Sequence, residues 1–513
     1  MAAAASAASP IKQAGQPDVA GIVVVTSRTS PADDQRAGDG RDQRAQALRR
    51  QQAGYDRPAR DLNSYDTAAQ PKAIQIYDGG AHGTNLLTSG NRDHLIGLIA
   101  DFVAATFAGA RAPLAARAQD DAATARWRED LRTLTETIRA VHPKPFWRGN
   151  ERAFQAEVDQ LDRAIPYLDD NAIKVGLIRL TAMIDGHTIL PFSQGPMNFG
   201  YYPLRLYAFS DGIFAVDAQA PWQGVIGAKL VQIGTVSADE AFRRLAPQAQ
   251  HDNDMTLRLL TPVHLLVPEE LVATGVIADP ARPNFVFELR DGTRRTINPP
   301  PASTDLFRAQ GGGFAPLPQR GGALYLSRTS ERFWFTLLEE SRSLYIQYNQ
   351  VQSTTQSGES LSDLARTIEQ TLAEREVARV IVDLRHNSGG NNQTYGPLLR
   401  LLQSAAVNQP DKLYVITSRH TFSAAANFAT EVERTTSAIF VGEPMGGRPN
   451  LYGDVRTAVL PNSRLTVYIS AIYWQKSTSD DTRPWIDPDL PAPLSSTDYF
   501  AGHDPAMAAI LGE

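Results

Sequence analysis

Strand-like and helix-like runs alternate through the C-terminal part of the chain, and this pattern constrains the fold more than any other feature. The strand-like runs are rich in apolar residues and lie at 344–349, 379–384, 413–417 and 438–441. After the first of them, one face of a predicted helix is marked by Leu361, Leu364, Ile368 and Leu372. Strands that alternate with helices predict an α/β fold with a parallel sheet and right-handed crossovers.

Two turns of this region carry residues that are suited to chemistry. Ser423 lies between the strand-like run 413–417 and a helix-like run at 428–434. A serine at such a turn can face a cleft, while the N–H groups of the helix start can face a developing negative charge. A second turn follows the preceding strand and contains Gly389 and Gly390, where the backbone can approach a substrate closely. Two such turns at one end of a parallel sheet indicate a serine hydrolase.

Residues 343–505 resemble the S41 peptidases, a family that includes tail-specific and tricorn-type proteases and the retinoid-binding protein of the eye. The matching text is LYIQYN at 344–349, VDLRHNSGG at 382–390, TFSAAAN at 421–427, VGEP at 441–444, LPNS at 460–463 and DPD at 487–489. Upstream, IDGHT at 184–188 also matches. The resemblance implies a ClpP/crotonase-like β/α spiral core with an N-terminal helical cap and a small PDZ-like β-rich insert.

The predicted domains follow from this resemblance and from changes in periodicity. The cap is predicted at 120–195 as three helices, and Trp127, Leu131, Leu134 and Ile138 begin the apolar stripe of the first. The PDZ-like domain is predicted at 196–300, with strands at 204–209, 213–216 and 285–289. A Pro-, Gly- and Arg-rich linker is predicted at 301–328 and the S41 core at 329–513.

Residues 1–112 resemble the C-terminal end of an α/β-hydrolase. Strand-like runs at 21–25 and 73–77 flank a polar segment at 29–68, which is predicted to be disordered. His82 then stands where that family has its triad histidine, and a helix through Phe107 is predicted after it. No G-x-S-x-G elbow precedes it, so the segment is interpreted as a catalytically silent remnant.

The general base is the first open question, because a serine hydroxyl is a poor nucleophile until a base takes its proton. Tail-specific relatives use a lysine, but Arg448 stands at that position, and a guanidinium with a pKa above about 12 cannot serve. The resemblance points instead to His187, at the position of the catalytic histidine in tricorn-like relatives. Imidazole, with a pKa near about 6.5, suits general-base work. His420 and His386 remain alternatives, since both lie close to the two turns.

Two further roles are the acceptor that orients the histidine and the oxyanion hole. A histidine base needs an acceptor to orient it, and the candidates are Glu443 and Asp481, the latter near the position of the relatives' glutamate. The hydroxyl that tricorn-like enzymes carry just before the histidine is replaced by Gly186. The oxyanion hole is predicted from the N–H of Ala424 together with that of Gly389 or Gly390. A salt bridge between Asp383 and Arg385 is expected to pin the second turn.

The composition limits the kinds of partner and of chemistry that this chain can have. The formal net charge of −6 and the lack of a basic stripe argue against a nucleic-acid partner. Cysteine is absent from the 513 residues, which excludes thiol catalysis and thiolate metal sites. No apolar run is long enough to predict a membrane span, and no metal-binding pattern or cofactor motif occurs. The first residues do not resemble a signal peptide, and the compartment stays open.

These observations predict a serine-type peptidase that acts on peptides or unfolded chains through an acyl-enzyme at Ser423, with His187 as the base. Two alternatives remain. One is a non-catalytic binding protein for apolar ligands or peptides, which Arg448 and Gly186 favour. The other is a crotonase-like acyl-CoA enzyme, which the serine at the helix start argues against.

Overall fold

The computed structural model describes residues 3–7, 21–27, 72–78 and 119–512. The chain divides into two compact units, Met1–Ala116 and Arg117–Glu513. In the first unit, strand β2 (Gly21–Ser27) pairs antiparallel with β1 (Ala3–Ala7) and parallel with β3 (Lys72–Asp78). The strands predicted at 21–25 and 73–77 are thus confirmed. The predicted disorder at 29–68, His82 and the helix expected after it lie outside the described residues.

The second unit begins with the three predicted helices, which are α1 (Asp121–Val141), α2 (Glu151–Ala164) and α3 (Asp170–Ala182). The first is capped by Asp120, which accepts a hydrogen bond from the N–H of Ala123 at 2.7 Å. It ends before Pro143, and its stripe of Trp127, Leu131, Leu134 and Ile138 is buried. The end of α3 places the 184–188 turn directly after the helix.

The next region combines a sheet with helices. Its elements are β4 (Gly200–Tyr201), β5 (Leu204–Phe209), β6 (Gly212–Ala218), β7 (Lys229–Ile233), β8 (Val236–Ser237), α4 (Ala238–Leu245), α5 (Asp254–His264), α6 (Pro268–Ala273), β9 (Phe285–Glu288), β10 (Arg294–Ile297), β11 (Ala302–Ser303) and α7 (Asp305–Ala309). The sheet order is β10-β9-β7-β6-β5, with antiparallel neighbours. The predicted strands at 204–209, 213–216 and 285–289 are present. The helices α4 to α6 were not predicted, although Ser237 caps α4 through the N–H of Glu240, a pattern visible in the sequence.

The C-terminal region contains the predicted parallel sheet. Its elements are β12 (Phe333–Leu338), β13 (Ser343–Tyr348), α8 (Leu361–Glu374), β14 (Arg379–Asp383), α9 (Gly396–Gln403), β15 (Leu413–Thr417), α10 (Ala424–Thr435), β16 (Ile439–Gly442), β17 (Asn450–Val459), β18 (Thr466–Gln475), β19 (Leu490–Pro491), α11 (Ser496–Ala501) and α12 (Pro505–Leu511). The order is β12-β13-β14-β15-β16-β19, and every pair after the first is parallel.

Both faces of this sheet are buried, as a parallel sheet requires. Val380 and Val382 of β14 join the apolar cluster that includes residues of α8, α9 and α10. Ile381 points the other way and packs in a second cluster with Met507 and Ile510 of α12. The central strands are therefore rigidly held, and so are the turns that leave their carboxyl ends.

A two-stranded ribbon of β17 and β18 rests on the helical cap. Its strands pair antiparallel from Asn450–Gln475 to Val459–Thr466. At its tip, the fully buried carboxylate of Asp130 on α1 accepts the N–H of Asn462 at 2.9 Å and that of Ser463 at 2.8 Å. Ile189 also pairs with Tyr468 through two backbone hydrogen bonds of 2.9 Å. The cap and the core are thus joined by hydrogen bonds as well as apolar contact.

Replacing Asp130 with alanine should loosen this joint. The change leaves two backbone N–H groups without an acceptor, which we expect to lower the free energy of unfolding by about 2–4 kcal/mol. Urea denaturation followed by circular dichroism measures the loss. Glu136→Ala, at an exposed position of the same helix, serves as the control, and equal stability of the two variants would contradict the assignment.

Candidate active site

Ser423 occupies a strained turn between β15 and α10. Its backbone has φ of 53° and ψ of −126°, a conformation that a non-glycine residue adopts only when its surroundings enforce it. The preceding residue, Phe422, donates its N–H to the carbonyl of Asn387 at 3.1 Å, so the two predicted turns are bonded to each other. Strain of this kind is typical of a nucleophile held at the start of a helix.

Gly389 lies directly against this turn. A Cβ atom at position 389 would stand 2.7 Å from the Cβ of Ser423 and 2.9 Å from the backbone nitrogen of Ala424. The φ of Gly389 is also +113°, which disfavours any side chain. At Gly390, with φ of +143°, a Cβ would stand 2.2 Å from the carbonyl oxygen of Val351. Both glycines are therefore required by the close approach of neighbouring backbone.

The amide groups predicted for the oxyanion hole differ in how they are engaged. The N–H of Gly389 donates to Oδ1 of Asn387 at 3.0 Å. Within the described part of the chain, the N–H groups of Ala424 and Gly390 make no hydrogen bond. An unpaired N–H at a helix start next to a serine is what stabilisation of an oxyanion requires. Of the two glycine amides, that of Gly390 is the free one.

His187 lies beside the serine turn. Its ring stacks on that of Phe422, with 4.4 Å between the ring centroids and 19° between the planes. Both ring nitrogens are buried, and neither has a hydrogen-bond partner among the described residues. His187 and Ser423 line the same cavity, of about 400 Å³, together with Ser388 and Phe422. The structure thus brings the predicted base and the predicted nucleophile to one space.

Asp185 holds the turn that carries His187. Its Oδ1 accepts the N–H groups of His187 and Thr188, at 2.9 and 2.6 Å, and the hydroxyl of Ser470 at 3.0 Å. Its Oδ2 lies 2.7 Å from Nε2 of His142. Burial opposes the charge of this carboxylate, but the hydrogen bond and charge of His142 prevail and lower the pKa of Asp185. Both oxygens are already engaged.

The structure places Glu443 and Asp481 in ion pairs with arginines. The carboxylate of Glu443 is held by the buried Arg419, at 2.6 and 3.0 Å. Asp481 accepts hydrogen bonds from Arg483 at 2.8 and 3.1 Å, and these lower the pKa of Asp481 to about 2. Neither carboxylate lines the cavity that contains Ser423 and His187.

The other candidate histidines are held neutral elsewhere. Burial lowers the pKa of His386 to about 4, and it lowers the pKa of His420 well below its usual value. Both line a separate cavity of about 40 Å³ together with Glu443. His386 lies 3.0 Å from the carbonyl oxygen of Tyr325 through Nε2, a contact that ties together buried segments.

The guanidinium groups of Arg448 and Arg385 contact other protein groups and hold neighbouring segments together. Arg448 stacks over Trp147, 4.8 Å from the ring centroid, and donates to the carbonyl of Thr482. Arg385 pairs with Asp383 at 2.6 Å and with Asp504 at 2.7 Å. The salt bridge predicted between Asp383 and Arg385 is therefore confirmed.

One further carboxylate, which was not singled out from the sequence, packs against the turn that carries His187 without lining the cavity of Ser423. Asp252 is buried, and its Oδ1 accepts the N–H of Gly186 at 2.9 Å. It stands just before Asn253, which caps α5. Only the cap pattern was visible in the sequence, and no local signal indicated that this turn would pack against residue 186.

The walls of the shared cavity are largely apolar. The aromatic and aliphatic residues that line it include Ile178, Leu190, Phe192, Leu260, Phe307 and Phe314. In the described part of the chain, no three His, Asp or Glu side chains are grouped so that they could hold a metal ion. Among the helices that the structure describes, none has the length and apolar character needed to cross a membrane.

Comparison with known proteins shows a shared fold. No protein-family model matches the chain, and no curated protein sequence matches it. The structure of mature CPAF complexed with lactacystin is similar, with a TM-score of 0.52 and 12% identity over 77% of this chain and 100% of that chain. Mature CPAF gives a TM-score of 0.51 and 12% identity over 74% and 95% of the two chains. At such low identity the similarity concerns the fold alone.

A photosystem II D1 C-terminal processing protease is also similar, at 12% identity over 74% of this chain and 98% of that chain. Its TM-score is 0.35.

The buried neutral state of His386 predicts how stability depends on pH. As the pH falls from about 6.5 to about 4, the unfolded chain takes up a proton that the folded chain refuses, which removes roughly 3 kcal/mol of stability. His386→Gln keeps an amide that can donate to Tyr325 but does not titrate, so its stability should fall less steeply. Denaturation at pH 7 and pH 4.5 measures the difference. The exposed His503→Gln is the control, and parallel losses in both variants would contradict the prediction.

Proposed function

We propose that this chain is a serine-type peptidase of the S41 family, with a ClpP/crotonase-like core, a helical cap and a PDZ-like insert. One observation carries the proposal: Ser423 sits on a strained turn, shares a cavity with His187 and lies next to the unpaired N–H of Ala424. Nucleophile, base and oxyanion donor thus stand together. The fold shared with CPAF is compatible with this assignment.

The proposed reaction has two halves. In the first, His187 takes the hydroxyl proton of Ser423 as the serine oxygen attacks the scissile carbonyl. The oxyanion is stabilised by the N–H of Ala424 and that of Gly390, with Gly389 allowing the close approach. The C–N bond then breaks, His187 gives its proton to the leaving amine, and an acyl-enzyme remains. In the second half, His187 deprotonates a water that releases the acid product and restores Ser423.

A histidine base fits this site better than an arginine. Arg448 stands where tail-specific relatives have their lysine, and its guanidinium cannot lose a proton near neutral pH. Its stacking on Trp147 and its hydrogen bond to Thr482 support a structural role. His187, in contrast, lines the cavity, and neither of its buried ring nitrogens has a hydrogen-bond partner among the described residues.

The lining of the cavity suggests the kind of substrate. Phe192, Phe307 and Phe314 provide an aromatic wall beside Ser423, so we propose that a peptide binds with an apolar side chain next to the bond that is cut. The same wall favours the alternative function, a binding protein for apolar ligands without hydrolysis. The two differ in whether Ser423 is reactive.

Ser423 reactivity is the first test. Purified wild-type protein should react with a fluorophosphonate probe and degrade unfolded casein. Ser423→Ala should lose both, and His187→Ala should lower casein turnover by roughly 10⁶-fold. Casein cleavage is followed by peptide release, and labelling is located by mass spectrometry. Well-folded wild type that neither reacts nor hydrolyses would favour the binding protein, while full activity of His187→Ala would remove His187 as the base.

Gly389→Ala provides a second test of the geometry. The added methyl group would overlap Ser423 and the N–H of Ala424, so we expect kcat to fall by at least about 100-fold. Gly358→Ala is the matched control, because Gly358 also has a positive φ but open space around its Cβ position. Equal activity of the two variants would show that the close approach does not matter for hydrolysis.

A further inference from the structure

The base in the proposed mechanism lacks a group that orients it. An imidazole that takes a proton from serine needs an acceptor on its other nitrogen, which fixes the ring and stabilises the imidazolium. Both carboxylates considered from the core sequence are already paired, Glu443 with Arg419 and Asp481 with Arg483. Asp185, although close in sequence, accepts two backbone N–H groups and the Ser470 hydroxyl and contacts His142. The acceptor must come from another segment.

Asp252 has a buried carboxylate oxygen without a partner in the described part of the chain, which the other three carboxylates lack. It is 3% exposed, and within the described residues its Oδ2 is a buried oxygen with no hydrogen-bond partner. Oδ1 is tied to the N–H of Gly186, the neighbour of His187, at 2.9 Å. Burying a carboxylate oxygen without a hydrogen-bond donor lowers the stability of the fold. His187, which directly follows Gly186 in the chain, has two ring nitrogens that also lack a partner among the described residues. We propose that Asp252 is the positioning residue of His187, with its Oδ2 accepting the N–H of the ring.

The absence of a side chain at Gly186 allows the carboxylate of Asp252 to lie next to the turn that carries His187. A Cβ at Gly186 would stand 3.1 Å from Cγ of Asp252 and 2.7 Å from the ring of Phe422. A side chain at this position would therefore overlap the ring of Phe422 and crowd the carboxylate of Asp252. The glycine at position 186 leaves room for the carboxylate of Asp252. In the proposed arrangement, Asp252 from the region before α5 takes the place of the hydroxyl that is absent from the 184–188 turn.

The position of Asp252 is fixed by its neighbour. Asn253 caps α5 with its Oδ1 and donates its Nδ2 to the carbonyls of Met445 at 3.1 Å and Pro484 at 2.7 Å. The hydroxyl of Thr256 donates to the carbonyl of Gly446 on the same turn. These bonds hold the start of α5 against the loop that packs on the Ser423 elbow, where a Cβ at Gly447 would stand 2.5 Å from Cβ of Ala426.

The role of Asp252 rests on the proposed function, and its surroundings act on the carboxylate in both directions. Burial raises the pKa of Asp252, His187 lowers it and the nearby Asp185 raises it further. During the reaction the proton of Ser423 moves to His187 only. In the proposed role, the imidazolium that forms favours the ionised form of Asp252, which accepts the N–H of the ring.

Asp252→Asn tests the proposal with little change of shape. The amide oxygen can still accept the N–H of Gly186, but the charge is lost. We expect kcat for casein peptides and the rate of fluorophosphonate labelling to fall by about 10²–10⁴-fold, with KM changed less than threefold. Asp254→Asn, the same change at an exposed position two residues later, is the matched control and should keep wild-type rates. Circular dichroism checks that both variants fold.

A second readout separates failure of this inference from failure of the proposed function. The ring N–H of His187, hydrogen-bonded to a carboxylate, should give a far-downfield proton resonance in wild type that disappears in Asp252→Asn and persists in Asp254→Asn. This signal needs no substrate. Wild-type rates in Asp252→Asn, or an unchanged resonance, would overturn the role of Asp252. A loss of rate in Asp481→Asn instead would assign the role to Asp481. Absence of labelling at Ser423, with the resonance behaving as expected, would refute the peptidase while the pairing stands.

Discussion

The parallel pairing of β14 with β15 is the constraint on which the rest of the site depends. It places the turns that leave both strands side by side, so that Phe422 donates to the carbonyl of Asn387. Gly389 then approaches Ser423 so closely that no side chain fits between them. The strained backbone of Ser423 persists because this contact and the buried helix α10 leave it no relaxed alternative. Sheet register thus sets the geometry of a single hydroxyl group.

The remaining parts of the site come from segments that are distant in sequence. His187 follows the cap helix α3, Asp252 precedes α5 in the insert, and Ser423 belongs to the core sheet. Asp130 and Ile189 join the cap to the β17–β18 ribbon, and Asn253 joins the insert to the loop after β16. Each joint uses buried hydrogen bonds to backbone groups, which tolerate little displacement. The proposed active site therefore depends on the whole of the second compact unit rather than on the core alone.

The sequence predicted what depends on local pattern. Periodicity located the cap helices and the parallel sheet, and the turn at Ser423 could be inferred because a strand and a helix flank it. The helices α4 to α6 were not predicted, although a helix-cap pattern at Ser237 marks the start of α4. The sequence also could not predict which groups the buried carboxylates contact, for a different reason. Whether Glu443 faces Arg419 or a histidine, and whether Asp252 meets Gly186, depends on contacts between segments up to 66 positions apart. No single-sequence pattern encodes such contacts.

The distribution of the site over the cap and the core has a consequence for synthesis. The cap, with His187, leaves the ribosome before the core that carries Ser423, and the ribbon that docks on the cap follows later still. The contacts of Asn462 and Ser463 with Asp130 form only after both segments have been synthesised. Under the proposed function, a growing chain therefore contains His187 and Ser423 before the contacts that bring them to one cavity exist. Hydrolysis at Ser423 would then begin only when the core and the ribbon have joined the cap.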